Sequence, residues 1–192
     1  MTNRYIPRPQ IHAWSEAISD QLEDHQSSLQ RLLAANRRLT RYIEQNEEHF
    51  APQTRSVCVY MTGVIARMFE LAGGRLRNAT WEQVHAAERK VQSQLDAVLP
   101  LGEGFAERFR AADRAQPHLL DEAYMALFER APGTEEAQID DKESFKVLLL
   151  SWVVTEVLDA NWSPPKTFEG EASYTFYPIE PTPDAGEPAD EV

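Results

Sequence analysis

The sequence predicts an all-α protein: a multi-helix bundle of five to seven helices, built on a long N-terminal amphipathic helix and followed by an acidic C-terminal tail, disordered or extended. Three observations predict it. Apolar residues recur at intervals of three, four or seven through every long segment. No segment alternates with the period of two that a half-buried strand needs. Prolines and glycines stand where one helical pattern ends and the next begins. With 192 residues the chain is long enough for one sizeable domain and short for two. Its expected organisation is an extended arm over residues 1–9, a helical domain over 10–162 and a proline-rich acidic tail over 163–192.

Taken in order, the arm carries Pro7, Pro9, Arg4, Arg8 and the pair Tyr5-Ile6, a composition that favours extended backbone. From about Gln10 to His49 the apolar positions Ile11, Trp14, Ile18, Leu22, Leu29, Leu32, Leu39 and Ile43, with Phe50 just beyond, keep to coiled-coil spacing. Forty helical residues would reach roughly 60 Å, about twice the width of a small domain. Either later helices of the chain or a second copy must cover that seam. Asp24 to Ser28 put polar residues on it, which makes this the expected place for a kink.

Ala51-Pro52 ends the stretch, because the residue before proline avoids helical geometry. The second helix, from about Gln53 to Ala72, is apolar on most sides through Val57, Cys58, Met61, Val64, Ile65, Met68 and Phe69, and so belongs near the centre. Gly63 inside it costs about 1 kcal/mol relative to alanine, which suits a point of close helix approach. Gly73-Gly74 supplies a left-handed cap. Thr80 and Gln83 form a capping box that opens a third helix reaching about Leu99. A short segment, Phe105 to Asp113, comes next, with Phe105 and Phe109 on its apolar side. Pro117 opens a helix to about Ala131 that buries Leu120, Tyr124, Leu127 and Phe128. Asp140 caps the last helix, which reaches about Ala160 with Phe145, Leu148, Leu149, Trp152, Val153 and Leu158, and which should pack beside the second.

The formal net charge is −12. From Ser163 onward, Glu169, Glu171, Glu180, Asp184, Glu187, Asp190 and Glu191 face Lys166 alone, so half of that charge, −6, sits on the tail. Within the tail, Tyr174 to Ile179 is an aromatic island, expected either to fold back onto a groove or to serve as a linear motif for a partner. A broadly acidic surface disfavours a phosphate backbone. One cysteine, Cys58, excludes an internal disulfide and any multi-cysteine metal site, and its apolar surroundings predict an unreactive thiol. The N-terminal residues hold no apolar signal-peptide core, and Val147 to Val154 is too short to span a bilayer, so a cytoplasmic protein without membrane contact is expected.

Chemistry-bearing motifs are weak. Glu82 and His85 have the spacing of a di-metal helix motif, but no second copy exists, and both flank the apolar face of their helix. Glu47-Glu48-His49 diverge around a helix end, and His118 with Glu122 lacks a third ligand. No nucleophile turn or glycine-rich phosphate loop is present. No catalytic residue, metal or cofactor is therefore expected. The basic candidates are Arg31, Arg37, Arg38 and Arg41, with Arg75, Arg77, Arg89 and Lys90 further on; a nucleic-acid site needs them to converge, and Tyr42 is the one obvious aromatic reader. They could instead pair with Glu44, Glu47 and Glu48, or be covered by the acidic tail. The expectation is a non-enzymatic protein-interaction or scaffold subunit, acting as a helical homo-oligomer or within a larger assembly, with Ile11, Trp14, Ile18, Leu22, Leu29 and Leu32 in its interface. The alternative is a small helical subunit that binds nucleic acid through the arginine patch.

Overall fold

The structure, a computed structural model, describes residues 3–20, 22–129 and 139–168. Among these it is an all-α bundle of eight helices: α1 (Arg8–Asp20), α2 (Leu22–Ala35), α3 (Arg37–Glu47), α4 (Pro52–Leu71), α5 (Trp81–Val98), α6 (Phe105–Ala111), α7 (Pro117–Phe128) and α8 (Asp141–Asn161). Two short strands, β1 (Arg75–Leu76) and β2 (Trp162–Ser163), pair antiparallel, with Arg75 opposite Ser163 and Leu76 opposite Trp162. The residues from 169 onward, with the aromatic island, lie outside the described residues.

The long N-terminal helix is not continuous: it is interrupted at Asn36, after which α3 begins. Asn36 separates α2 from α3, with its backbone at φ −105°, ψ 53°, away from helical values. Its side chain explains the break: Oδ1 leaves the helix to accept the backbone N–H of Ala79 at 3.0 Å. Thr40 Oγ1 then donates to the carbonyls of Leu33 (2.7 Å) and Asn36 (3.2 Å), satisfying acceptors at the interruption. The backbone from Asp24 to Ser28, where a kink is expected, is helical and lies within α2.

The stretches before and after Asn36 have different neighbours. α1 packs on α7 and α4, α2 on α4, and α3 on α5 and α8. Among the described seam residues, Ile11, Ile18 and Leu29 are buried by the same chain. α8 occupies the centre, against α4, α5 and α7, which agrees with its nearly continuous apolar sequence and with the expected pairing to α4. Trp152 of α8 and Phe109 of α6 are fully buried and meet edge to face at 5.4 Å. Phe105, Tyr124, Phe128 and Phe145 extend this aromatic centre. A fully buried ring such as Phe109 contributes on the order of 2–3 kcal/mol by leaving water.

Local signals place the helix ends. Thr80 Oγ1 accepts the Gln83 N–H and Gln83 Oε1 accepts the Thr80 N–H, so the capping box closes. Asp140 accepts the Glu143 N–H at 2.8 Å. Gly73 and Gly74 both hold positive φ, and a Cβ on Gly74 would sit 2.3 Å from the Ser163 carbonyl oxygen. Only glycine lets β2 approach there. Trp162 completes the junction, donating from Nε1 to the Gly73 carbonyl and meeting Phe69 edge to face.

Candidate functional site

Three places in the bundle gather polar side chains, and each has a different chemical character. The first is a buried network that sequence patterning did not reveal. α8 carries Glu156 and Asp159, one turn apart and both buried. Glu156 Oε1 accepts from Trp152 Nε1 (3.1 Å) and from the Ala115 N–H (2.8 Å), while Oε2 accepts from Lys90 Nζ at 2.9 Å. Asp159 Oδ1 accepts from Gln116 Nε2 at 2.7 Å. Gln116 also donates to the Arg4 carbonyl (3.1 Å) and accepts the Ile6 N–H (2.8 Å), pinning the N-terminal arm. Burial pushes the Asp159 carboxyl up, with the Gln116 and Asn3 hydrogen bonds opposing it. Burial works against the charge on Lys90, yet its hydrogen bond and ion pair with Glu156 hold its pKa above the ordinary lysine value. These groups point at one another and at backbone, so the arrangement clamps the arm and the loop before α7 onto α8.

The second place is an open groove of about 240 Å³ between α3, α5 and α8. Phe50, Val91, Leu95, Leu149, Leu150 and Val153 form its apolar lining, and Tyr42, Asn46, Glu88, Gln92 and Lys146 complete it. Tyr42 is buried and its hydroxyl donates to Glu88 Oε1 at 3.2 Å. Burial, with the Glu88 charge second, pushes its pKa well above the tyrosine range.

The third is a face of arginines. The Asn36–Ala79 contact brings the start of α3 against the loop between β1 and α5, and Arg38 donates to the Ala79 carbonyl at 3.5 Å. Arg77 and Arg75 precede Ala79 by two and four residues, and Arg37, Arg38, Arg41, Arg75 and Arg77 are all exposed. None of the five forms an ion pair among the described residues. Glu44 and Glu82, both exposed, pair with none of them, and the expected partners Glu47 and Glu48 instead offer backbone carbonyls to Arg55. Arg31 lies on α2, more than a turn before this group, and is exposed. The β1–β2 pairing and the Asn36–Ala79 contact, neither encoded in sequence spacing, relate the segment of Arg75 and Arg77 to α3.

The other candidates separate. Glu82 and His85 are exposed, and His85 lies 3.4 Å from Glu88 and stacks on Trp81. Glu47 is half-buried, whereas Glu48 and His49 are exposed. Glu122 meets His12 of α1 at 3.2 Å, and His118 stands edge-on to Tyr5. Among the described residues no group of three or more His, Cys, Asp or Glu is arranged to hold a metal. Cys58 is fully buried and its thiol is pushed up to about 12 by burial and then by Glu47. Of the interface residues, Ile11, Ile18 and Leu29 are buried within the chain and Trp14 is half-buried against the core. The side chains of Leu22 and Leu32 lie outside the described residues. No described helix is long and apolar enough to cross a membrane.

Comparison with protein-family models, with curated proteins and with solved structures finds no match for this chain.

Proposed function

We propose that the chain is a non-enzymatic protein-interaction subunit that holds an acidic segment of a partner protein on the arginine face. The observation that supports this is that Arg37, Arg38 and Arg41 of α3, and Arg75 and Arg77 of the segment that α3 meets at Ala79, are exposed and form no ion pair among the described residues, in a protein whose formal net charge is −12. A single exposed ion pair contributes about 0–1 kcal/mol, so one arginine would select nothing. Several guanidinium groups on one face can each take a carboxylate in bidentate fashion, and their number and spacing then choose a segment with several acidic residues.

The nucleic-acid alternative shares the arginines but lacks a reader. Tyr42, the aromatic that would stack on a base, is buried with its hydroxyl committed to Glu88. The overall negative charge also repels a long polyanion away from the local patch. A homo-oligomer is one realisation of the proposal, in which the acidic segment belongs to a second copy.

The test is fluorescence anisotropy with a labelled glutamate-rich decapeptide, at low salt, on the protein and on its R37E/R41E variant. Binding that weakens roughly tenfold or more in the variant, and that fades as salt rises, is the expected result. Equal binding by both proteins would refute the site. Tighter, Arg37-dependent binding of a single-stranded oligonucleotide of the same charge would replace this reading with the nucleic-acid one.

A further inference from the structure

The groove between α3, α5 and α8 has a chemistry unlike that of the arginine face: its lining is mainly apolar and includes no arginine. Its two ends carry opposite charges. Lys90 of α5 meets Glu156 towards the end of α8, whereas Leu95, further along α5, shares the groove with Lys146 and Leu149, near the start of α8. The two helices therefore run antiparallel, and they place Glu88 at one end of the groove and Lys146 at the other. From Glu88 to Leu95 the helix rises about 10 Å.

The two charges are not equally available. Lys146 Nζ is taken up by Glu143 Oε1, one turn back on α8. Glu88 forms no ion pair with a lysine or arginine among the described residues. Its partners are the Tyr42 hydroxyl, 3.2 Å from Oε1, and the His85 ring, 3.4 Å from Oε2. A carboxylate offers about four acceptor sites, so a further donor can be received. The Tyr42 hydrogen bond also holds Oε1 at the groove wall, where α3 meets α5.

From these observations we infer that the groove binds a small aliphatic ammonium compound, with its hydrocarbon chain along Val91, Leu95, Leu149 and Val153 and its nitrogen at Glu88. Charge complementarity selects a cation. The charged group of the groove that no lysine or arginine balances is a carboxylate, and the formal net charge of −12 favours cations at long range. A carboxylate ligand would have to take Lys146 from Glu143. Size selects a small occupant: drug-sized ligands fill roughly 300–1,000 Å³, and this groove holds about 240 Å³. A chain of about eight carbons, with bonds near 1.5 Å, matches its length. Each methylene taken fully out of water tightens binding about fourfold, and half that burial in an open groove gives about twofold.

The experiment titrates the ¹⁵N-enriched full-length protein with n-octylammonium chloride and, in parallel, with n-butylammonium chloride and sodium octanoate. Octylammonium should shift the amides of residues 42–50, 88–95 and 149–153. It should bind at least about tenfold more tightly than butylammonium, the product of about twofold for each added methylene. Glu88→Gln keeps an acceptor for Tyr42 and should weaken octylammonium about fivefold, the effect of losing a partly shielded ion pair. Equal binding of octanoate and octylammonium would overturn the inference, because the groove would then read hydrocarbon alone. No gain from butyl to octyl, with shifts spread over the acidic surface, would overturn it in favour of counterion binding. Unchanged affinity in Glu88→Gln would remove the nitrogen from Glu88, and absence of shifts along the groove would remove the site. Decapeptide binding and its loss in R37E/R41E are read separately, so the groove and the arginine face can each fail alone.

Discussion

Gln116 holds a left-handed backbone, φ 45° and ψ 60°, that costs a non-glycine residue on the order of 1–2 kcal/mol. It persists because its fully buried amide joins three chain segments: the arm through Arg4 and Ile6, α8 through Asp159, and its own loop. Asp159 gives this junction a pH signature. Burial raises its pKa in the folded state above the unfolded value near 3.9. The folded protein therefore binds more protons than the unfolded chain above that pH, and its stability falls as pH rises until the folded pKa is passed. Asp159→Asn removes the titration and keeps an oxygen for Gln116. The stability difference between variant and wild type, read from urea midpoints, should move in favour of the variant from about pH 4 upward and then level off. A difference independent of pH would show that Asp159 titrates alike in both states. Glu156 and Asp159 could be read as unusual in an apolar helix, but their partners could not. Lys90 is 66 positions from Glu156, and Gln116 is 43 from Asp159.

At the scale of elements, most helix boundaries were legible because their causes are local. Pro52, the Thr80–Gln83 box, Pro117 and the Asp140 cap act within a few residues of the ends they set. The division of the first forty helical residues was not, because Asn36 breaks the helix for Ala79, whose sequence distance of 43 no periodicity encodes. The glycine pair shows the same contrast. Gly73 and Gly74 both have positive φ, but a Cβ on Gly73 meets nothing within 4 Å, whereas one on Gly74 collides with the β2 backbone. Gly73→Ala should cost about 1–2 kcal/mol from backbone strain alone. Gly74→Ala should cost clearly more and disturb the Trp162 environment, seen as a change in tryptophan fluorescence together with the lower unfolding midpoint. Equal costs at both positions would contradict the close approach of Ser163.

For the whole molecule, Ile11 and Ile18 contribute to the core of their own chain, on a helix that packs against α7 and α4. Ile18→Glu should therefore destabilise the fold by roughly 3–5 kcal/mol, through a buried unpaired charge, without dividing the solution mass. A folded variant of half the native mass, by light scattering, would mean that this seam is an interface after all. The fold class was legible because helical periodicity is a property of each segment. The candidate site was half legible: Arg37, Arg38 and Arg41 share one helix, but Arg75 and Arg77 join them only through the folded junction. Their lack of carboxylate partners among the described residues is likewise a property of the assembled bundle.

Whether the arginine face takes acidic segments is decided most simply by an amide shift map of the ¹⁵N-enriched protein titrated with the glutamate-rich decapeptide. The largest shifts should fall at residues 37–41 and 75–78, with little change along the groove lined by Asn46, Val91 and Val153. Shifts centred on that groove, or none at any peptide concentration reached, would contradict the proposed site.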